Sequence, residues 1–291
     1  AVSESSPQRE IDQKRETFAT IYEVFEHYLG FPFPESPQEL PDELLLKPDV
    51  YGGLLDAVLA QQLEDHHLRP TPVERNQYVG RLNSKGEPIN SIIRLGTANR
   101  VDDATPTLKR WIVKPFLGER VKSLTYWHTH TKKAYSQHLT ESDVTNAISD
   151  TERSCIYAHA SETTISVIIQ TRKGIPESKP LSMIMRGNKL YDELKLMYDS
   201  GADRPQLHAL AYFLDKYGYA LYVWDRPKSI DSSSPTFFRR AATVREAFEA
   251  GHFTNGIRLR KVPVPPPREE MLKESFFSRI KNIWKARSAE V

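Results

Sequence analysis

The sequence has very little cysteine, almost no net charge and no long apolar run, and each scarcity excludes a class of protein. Cys155 is the single cysteine, so neither an intramolecular disulfide nor a cysteine-based zinc site can form. With 40 Lys and Arg against 38 Asp and Glu, the formal charge of +2 provides no electrostatic basis for general nucleic-acid binding. No apolar stretch reaches the roughly 20 residues that a transmembrane helix needs.

The amino-terminal residues and the single cysteine lead to two further expectations. Residues 1–16 are polar and contain no apolar segment of the signal-peptide kind. We therefore expect a cytoplasmic protein, or one exported without a conventional signal peptide. Cys155 lies in an apolar stretch with no thiolate-stabilising neighbour in sequence, which predicts a buried hydrophobic residue rather than a nucleophile.

The hydrophobic pattern divides the chain into three segments. Residues 1–70 have helical spacing interrupted by prolines, and residues 71–175 contain short stretches rich in β-branched and aromatic residues around one helix. Residues 176–291 are mainly helical and end in a proline-rich linker and an amphipathic helix over 268–286. This organisation predicts an α/β protein in which a central mixed sheet has helices on both sides.

Individual elements can be predicted for most of the chain. Strands are expected at 77–82, 91–95, 111–114, 121–130, 154–171 and 220–224. Helices are expected at 11–29, 51–66, 141–149, 190–198, 205–216 and 238–250. The proline-rich residues 30–41 are expected to be irregular or extended.

Two histidines at the end of a predicted strand form a candidate metal site. His128 and His130 are two residues apart, so in a strand their side chains point to the same face. Asp143 lies at the start of the helix predicted over 141–149 and can complete a set of two imidazoles and one carboxylate. Such a set leaves one position for water, which is typical of a catalytic zinc site, where the metal acidifies the water and polarises a carbonyl.

These residues resemble the motif of the JAMM (MPN+) metalloprotease family. The family has His-x-His, a spacer and Ser-x-x-Asp; here His128 and His130 are followed by nine residues, then Thr140 and Asp143. The resemblance covers about residues 70 to 175. It implies a cytidine-deaminase-like fold, Zn²⁺ bound by the two histidines and the aspartate, and an oxyanion contact from Thr140 in place of the family's serine.

The family's general base is a glutamate on an early strand, and this position is ambiguous here. The matching residue is Gln77, three residues before Gly80, and a glutamine amide cannot accept a proton from water. Gln77 is an engineered replacement of a glutamate, or it stands naturally in a metal-binding pseudoenzyme, or the base is instead Glu74. All three alternatives are open from the sequence.

The resemblance also implies the reaction and the partner. JAMM enzymes typically hydrolyse the isopeptide bond that follows the carboxyl-terminal glycine of ubiquitin or a ubiquitin-like protein. The alternatives are a catalytically inactive JAMM-like scaffold and a bacterial effector or toxin module that binds a protein partner. A metallo-β-lactamase-like site is excluded, because Thr131, Lys132 and Lys133 follow His130 where that site needs x-Asp-His.

An explanation without metal is also consistent with the same residues. Thr140 and Asp143 suit the first turn of any helix, as the N-cap and an acidic residue near the positive end of the helix dipole. His128 and His130 could then simply end an edge strand, and His138, between the two halves of the motif, is expected to be a solvated loop residue.

Overall fold

An eight-stranded sheet organises the part of the protein that the structure describes. The computed structural model describes residues 17–66, 73–96, 121–131, 139–149, 153–175, 189–190, 192–198, 207–230 and 239–264. The sheet has the strand order β1-β12-β9-β8-β7-β6-β2-β5. Its strands are β1 (Glu43–Leu46), β2 (Arg75–Val79), β5 (Arg94–Leu95), β6 (Val121–Thr129), β7 (Arg153–Ala160), β8 (Ile165–Gln170), β9 (Tyr219–Trp224) and β12 (Ile257–Lys261).

Two small hairpin sheets and six helices complete the described part. The hairpins pair β3 (Arg81–Leu82) with β4 (Pro88–Ile89) and β10 (Lys228–Ile230) with β11 (Arg239–Ala241). The helices are α1 (Ile21–Leu29), α2 (Pro48–Tyr51), α3 (Leu54–His66), α4 (Glu141–Ser149), α5 (Leu207–Lys216) and α6 (Val244–Glu249). Residues 189–190 and 192–198 are also helical, and short 3₁₀ turns lie at Pro37–Glu39 and Arg172–Gly174.

The sheet separates two hydrophobic cores. On the first face, α1, α2, α3 and α6 pack against strand residues such as Trp127, Ala158 and Val167. On the second face, α4, α5 and the helical residues near Leu194 pack against the alternating strand residues, among them Tyr157. Helices therefore flank both faces, and the chain is a mixed α/β protein as the pattern predicts, with a sheet that is mostly antiparallel.

One parallel pair interrupts the antiparallel order. Strands β6 and β7 run parallel, whereas all other neighbours among the described strands of the large sheet are antiparallel. A parallel pair needs a crossover connection, and α4 is the helix of that crossover. Helix α4 lies on the second face, where Val144 and Ile148 are buried. The first turn of α4 is thereby brought to the carboxyl ends of β6 and β7.

Several predicted elements coincide with observed ones. The helix predicted over 141–149 is confirmed, and strand β6 ends one residue before the predicted boundary at 130. The predicted strand region 154–171 is a hairpin of β7 and β8, which turns at residues 161–164. The strand predicted at 220–224 is β9.

Other predictions need correction or fall outside the described ranges. The helix predicted over 238–250 is wrong at its start, because residues 239–241 form β11 and the helix begins only at Val244, after the N-cap Thr243. Thr243 and Glu246 form a reciprocal capping box there, which fixes the start of the helix. The strand at 111–114, residue His138 and the terminal helix over 268–286 lie outside the described residues.

The large sheet draws strands from all three predicted segments. Strand β1 belongs to residues 1–70 and pairs with β12 of residues 176–291, and β12 pairs in turn with β9. Strand β9 continues the sheet into β8 and β7 of the central segment. No helix in the described ranges combines the length and the apolar character that crossing a membrane requires.

Cys155 provides a test of this architecture. Its side chain is completely buried in β7, and burial raises the pKa of its thiol above the ordinary value. We expect no reaction with a thiol-specific reagent in the native protein and about one equivalent in denaturant. Following absorbance with a disulfide reagent at pH 8 measures both states; rapid stoichiometric labelling of the native protein would contradict the packing of β7.

Candidate metal centre

The two motif histidines meet at the carboxyl end of β6. His128 lies on the strand, and His130 follows it while its backbone N–H still donates to the carbonyl of Ala160, at 2.9 Å. The two Nε2 atoms are 3.0 Å apart, and both side chains are buried. The alternation of a strand thus brings both imidazoles to the second face of the sheet, as the spacing predicts.

Asp143 approaches the same point from α4. Its Oδ1 lies 3.0 Å from His128 Nε2, and its Oδ2 lies 3.4 Å from His130 Nε2. The carboxylate is buried. The three residues that the motif selects are therefore in mutual contact, although His130 and Asp143 belong to different elements.

Thr140 holds that carboxylate in place. Its backbone N–H and its hydroxyl both donate to Asp143 Oδ2, at 2.6 and 2.8 Å. The N–H of Asp143 donates back to the Thr140 hydroxyl oxygen at 3.2 Å. The N-cap that the explanation without metal invoked is therefore present, and it orients Asp143 towards the histidines. The Thr140 cap and the cluster of His128, His130 and Asp143 are parts of one arrangement.

Burial and mutual contact set the charges of the cluster. Burial lowers the pKa of His128, although the neighbouring carboxylate acts in the opposite direction. Burial alone would raise the pKa of Asp143, but the interactions with His128 and His130 outweigh it and hold that pKa well below the usual value. A neutral imidazole and an ionised carboxylate are the forms that bind a metal ion.

A third histidine, His159, joins the cluster. It lies on β7 directly beside His128 in the parallel register and is completely buried. The ring centroids of His159 and His130 are 4.2 Å apart. Nitrogen atoms of the three histidines all lie within 4.8 Å of one another, a grouping that could hold a metal ion. His159 is not among the residues that the motif selects; its signal in the sequence is a lone histidine in a mostly apolar strand.

Glu74 and Gln77 lie on opposite faces of the sheet. Asn76 pairs with His128 and Gln77 with Trp127, so Gln77 faces the first core, away from the cluster. Its Oε1 accepts from the N–H of Gly53 at 3.0 Å, and its Nε2 donates to the carbonyl of Ser91 at 2.7 Å. Gln77 therefore ties the start of α3 to the loop before β5.

Glu74 shares the face of the histidines. The β2 register, continued by two residues from Asn76, brings Glu74 opposite His130. Burial raises the pKa of Glu74 to about 7; His130 acts to lower it and Asp143 to raise it further. Two carboxyl groups thus share one buried region with the three imidazoles, and a divalent cation would compensate their charge.

The donor set fits a transition-metal ion. Two ligand atoms on one tetrahedral zinc ion stand about 3.3 Å apart. The separations of His128 Nε2 from His130 Nε2 and from Asp143 Oδ1, both 3.0 Å, are close to that value. Imidazole nitrogens with a carboxylate favour zinc and neighbouring transition metals over calcium or magnesium, which bind through oxygen.

Aromatic residues enclose the cluster on the second face. Tyr126 stacks beside His128 with ring centroids 6.1 Å apart, and its hydroxyl accepts from Asn76 Nδ2 at 3.2 Å. Tyr198 donates its hydroxyl to the carbonyl of Leu139 at 3.0 Å, next to the Thr140 cap. Burial, with the nearby charges of Asp143 and Glu141, raises the pKa of Tyr198 above its ordinary value. The histidines and Asp143 are buried beside these rings, and exclusion of bulk water strengthens electrostatic effects among them.

Comparison of the chain with protein-family models, with curated proteins and with solved structures found no match. The chemistry of the site therefore has to be argued from its own residues. The site contains buried imidazoles, the Asp143 carboxylate positioned by Thr140, and the Glu74 carboxyl group of raised pKa. Groups of these kinds can support metal-assisted hydrolysis.

Metal binding can be tested at His128. We expect the protein, dialysed against zinc and then against metal-free buffer, to retain about one ion per chain, and His128→Ala to retain less than about a tenth of that. Elemental analysis measures the content, and His252→Ala, at an exposed histidine, is the matched control. Equal zinc content in His128→Ala and in the control would contradict the site.

The Thr140 cap can be tested separately. Thr140→Ala removes the hydroxyl that holds Asp143 and caps α4, so we expect about 1 kcal/mol less stability in the metal-free protein. Zinc affinity is expected to fall about 10- to 100-fold, because Asp143 loses a supporting hydrogen bond. Urea unfolding and a competition titration measure the two effects. Thr140→Ser retains the hydroxyl, and a Ser variant as impaired as the Ala variant would contradict this account.

Proposed function

We propose that the protein is a JAMM-like, zinc-dependent hydrolase that cleaves an amide bond, namely the isopeptide bond next to a ubiquitin-like protein. The observation that carries the proposal is the convergence of His128, His130 and Asp143 on one buried point, with Glu74 on the same face. A buried trio of metal-binding residues with a neighbouring carboxyl group suits hydrolysis better than a closed structural site.

The proposed roles follow from the positions of the side chains. His128, His130 and Asp143 would hold the ion, which supplies the acidification of water and the polarisation of a carbonyl oxygen. Glu74 would accept a proton from the attacking water while the oxygen of that water bonds to the carbonyl carbon. The same carboxyl group would return the proton to the nitrogen of the departing amine when the carbon–nitrogen bond breaks.

Thr140 receives a different role from the one that the resemblance implies. An oxyanion contact needs a free hydroxyl hydrogen, but here that hydrogen is donated to Asp143 Oδ2. We therefore assign Thr140 to positioning: it orients the carboxylate that faces both histidines. The Thr140→Ser comparison described above applies equally to this assignment.

Glu74 rather than Gln77 is the proposed base, and this choice removes the reason for proposing a catalytically inactive scaffold. That alternative rested on glutamine at position 77, where the family's pattern led us to expect the base. Gln77 is engaged with Gly53 and Ser91 on the opposite face of the sheet, so its identity has no bearing on proton transfer at the cluster. The effector or toxin alternative concerns the partner and is compatible with the same hydrolytic chemistry.

The decisive experiment compares Glu74→Gln with Gln77→Glu in the zinc-loaded protein. Glu74→Gln is expected to keep its zinc and to lose about 100- to 10,000-fold in hydrolysis, because the amide cannot accept a proton. Gln77→Glu is expected to gain no activity. It should lose about 1–3 kcal/mol of stability, since a carboxylate oxygen would face the Ser91 carbonyl in a buried place.

Cleavage of isopeptide-linked diubiquitin and of a ubiquitin-like conjugate, followed by gel electrophoresis, measures hydrolysis, and elemental analysis confirms that zinc is bound. Increased activity in Gln77→Glu would restore position 77 as the base. A zinc-replete protein with intact Glu74 that cleaves neither conjugates nor peptides would overturn the proposed activity.

A further inference from the structure

We propose that His159 is itself a ligand of the bound ion, so that three imidazoles and Asp143, rather than two imidazoles and Asp143, form the metal centre. This inference rests on the proposed function and deepens it, because it concerns the composition of the same site. Neither the two-residue spacing of the motif nor the aspartate that follows it points to this residue; only the register of β7 does.

His159 lies on a rigid element of the sheet. It lies in β7 directly opposite His128 of β6, in a run of parallel pairs from Thr125 and Ile156 to Thr129 and Ala160. Neighbouring residues of paired strands point to the same face, so the His159 side chain faces the same region as the His128 side chain. The position is therefore set by the backbone of the sheet.

The three histidine rings lie close to one another. Ring centroids are 4.9 Å apart for His128 and His130, 5.3 Å for His128 and His159, and 4.2 Å for His130 and His159. His159 is therefore closer to His130 than His128 is. Since one nitrogen from each ring lies within 4.8 Å of the other two, all three imidazoles can be directed at one ion.

Burial also distinguishes His159 from the other two histidines. His159 is completely buried, whereas His128 and His130 keep a small exposed fraction of 6% and 7%. An ion bound by the three imidazoles would be held away from water, where neutral imidazole nitrogens are suitable ligands.

The consequence is a donor set with one more nitrogen. Three imidazoles make the centre more nitrogen-rich, and this favours late transition metals such as zinc, nickel and copper over oxygen-seeking cations. Asp143 remains the single charged donor among the four residues, and Glu74 stays outside the set as the proposed base. The water that the proposed hydrolysis needs would then occupy a fifth position, a coordination number that catalytic zinc can reach. Loss of one imidazole should therefore weaken zinc binding strongly, although the Asp143 carboxylate would still attract the cation.

The test compares His159→Gln with the matched surface variant His252→Gln. We expect His159→Gln to lower zinc affinity by more than about 100-fold, which exceeds the effect of a residue that only supports a ligand. A competition titration with a chromophoric chelator measures the affinity, and thermal unfolding of both metal-free variants confirms that they fold. An unchanged affinity in His159→Gln, with zinc lost in His128→Ala, would overturn this inference and leave the proposed function standing.

A second measurement does not depend on a variant that folds. X-ray absorption at the zinc edge of the wild-type protein counts imidazole ligands through their multiple scattering, and three are expected. A count of two would overturn the role of His159. A wild-type protein that takes up no zinc would instead overturn both this inference and the proposed function, so the two failures can be distinguished.

Discussion

The parallel pairing of β6 and β7 is the constraint on which the candidate site depends. A parallel pair requires the chain to cross back over one face of the sheet, and α4 makes that crossing. The first turn of the helix is consequently delivered to the carboxyl ends of both strands. This is the place where α/β sheets commonly bind ligands, because side chains from strands and helix termini converge there without disturbing the core.

Burial and close contact set the protonation states of the carboxyl groups and imidazoles at the carboxyl ends of β6 and β7. Two carboxyl groups and three imidazoles are gathered where little water reaches, and the pKa values of Glu74, His128 and Asp143 shift in response. The interactions with His128 and His130 hold the pKa of Asp143 well below its usual value, whereas burial raises the pKa of Glu74 to about 7. Equivalent carboxyl groups in different surroundings can thus take different roles, one as a ligand and one as a base.

Glu74 and Gln77, the two positions that the sequence leaves open for the base, lie on opposite faces of the sheet. The two positions differ by three residues, an odd number, so in a regular strand they lie on opposite faces. Gln77 has a structural use, because its amide joins Gly53 and Ser91 through one donor and one acceptor. A glutamate would satisfy only half of that arrangement, which explains why an amide suits the position.

Local sequence patterns by themselves determined α4, most of β6 and the shared face of His128 and His130, because the spacing of residues within one element depends only on backbone geometry. They also placed Asp143 at a helix start through its Thr140 cap. Only the tertiary structure decided that His159 stands beside His128 and that Glu74, rather than Gln77, faces the histidines. Strand register is set by packing between segments that are distant in the chain, and a change of one residue moves every side chain to the other face.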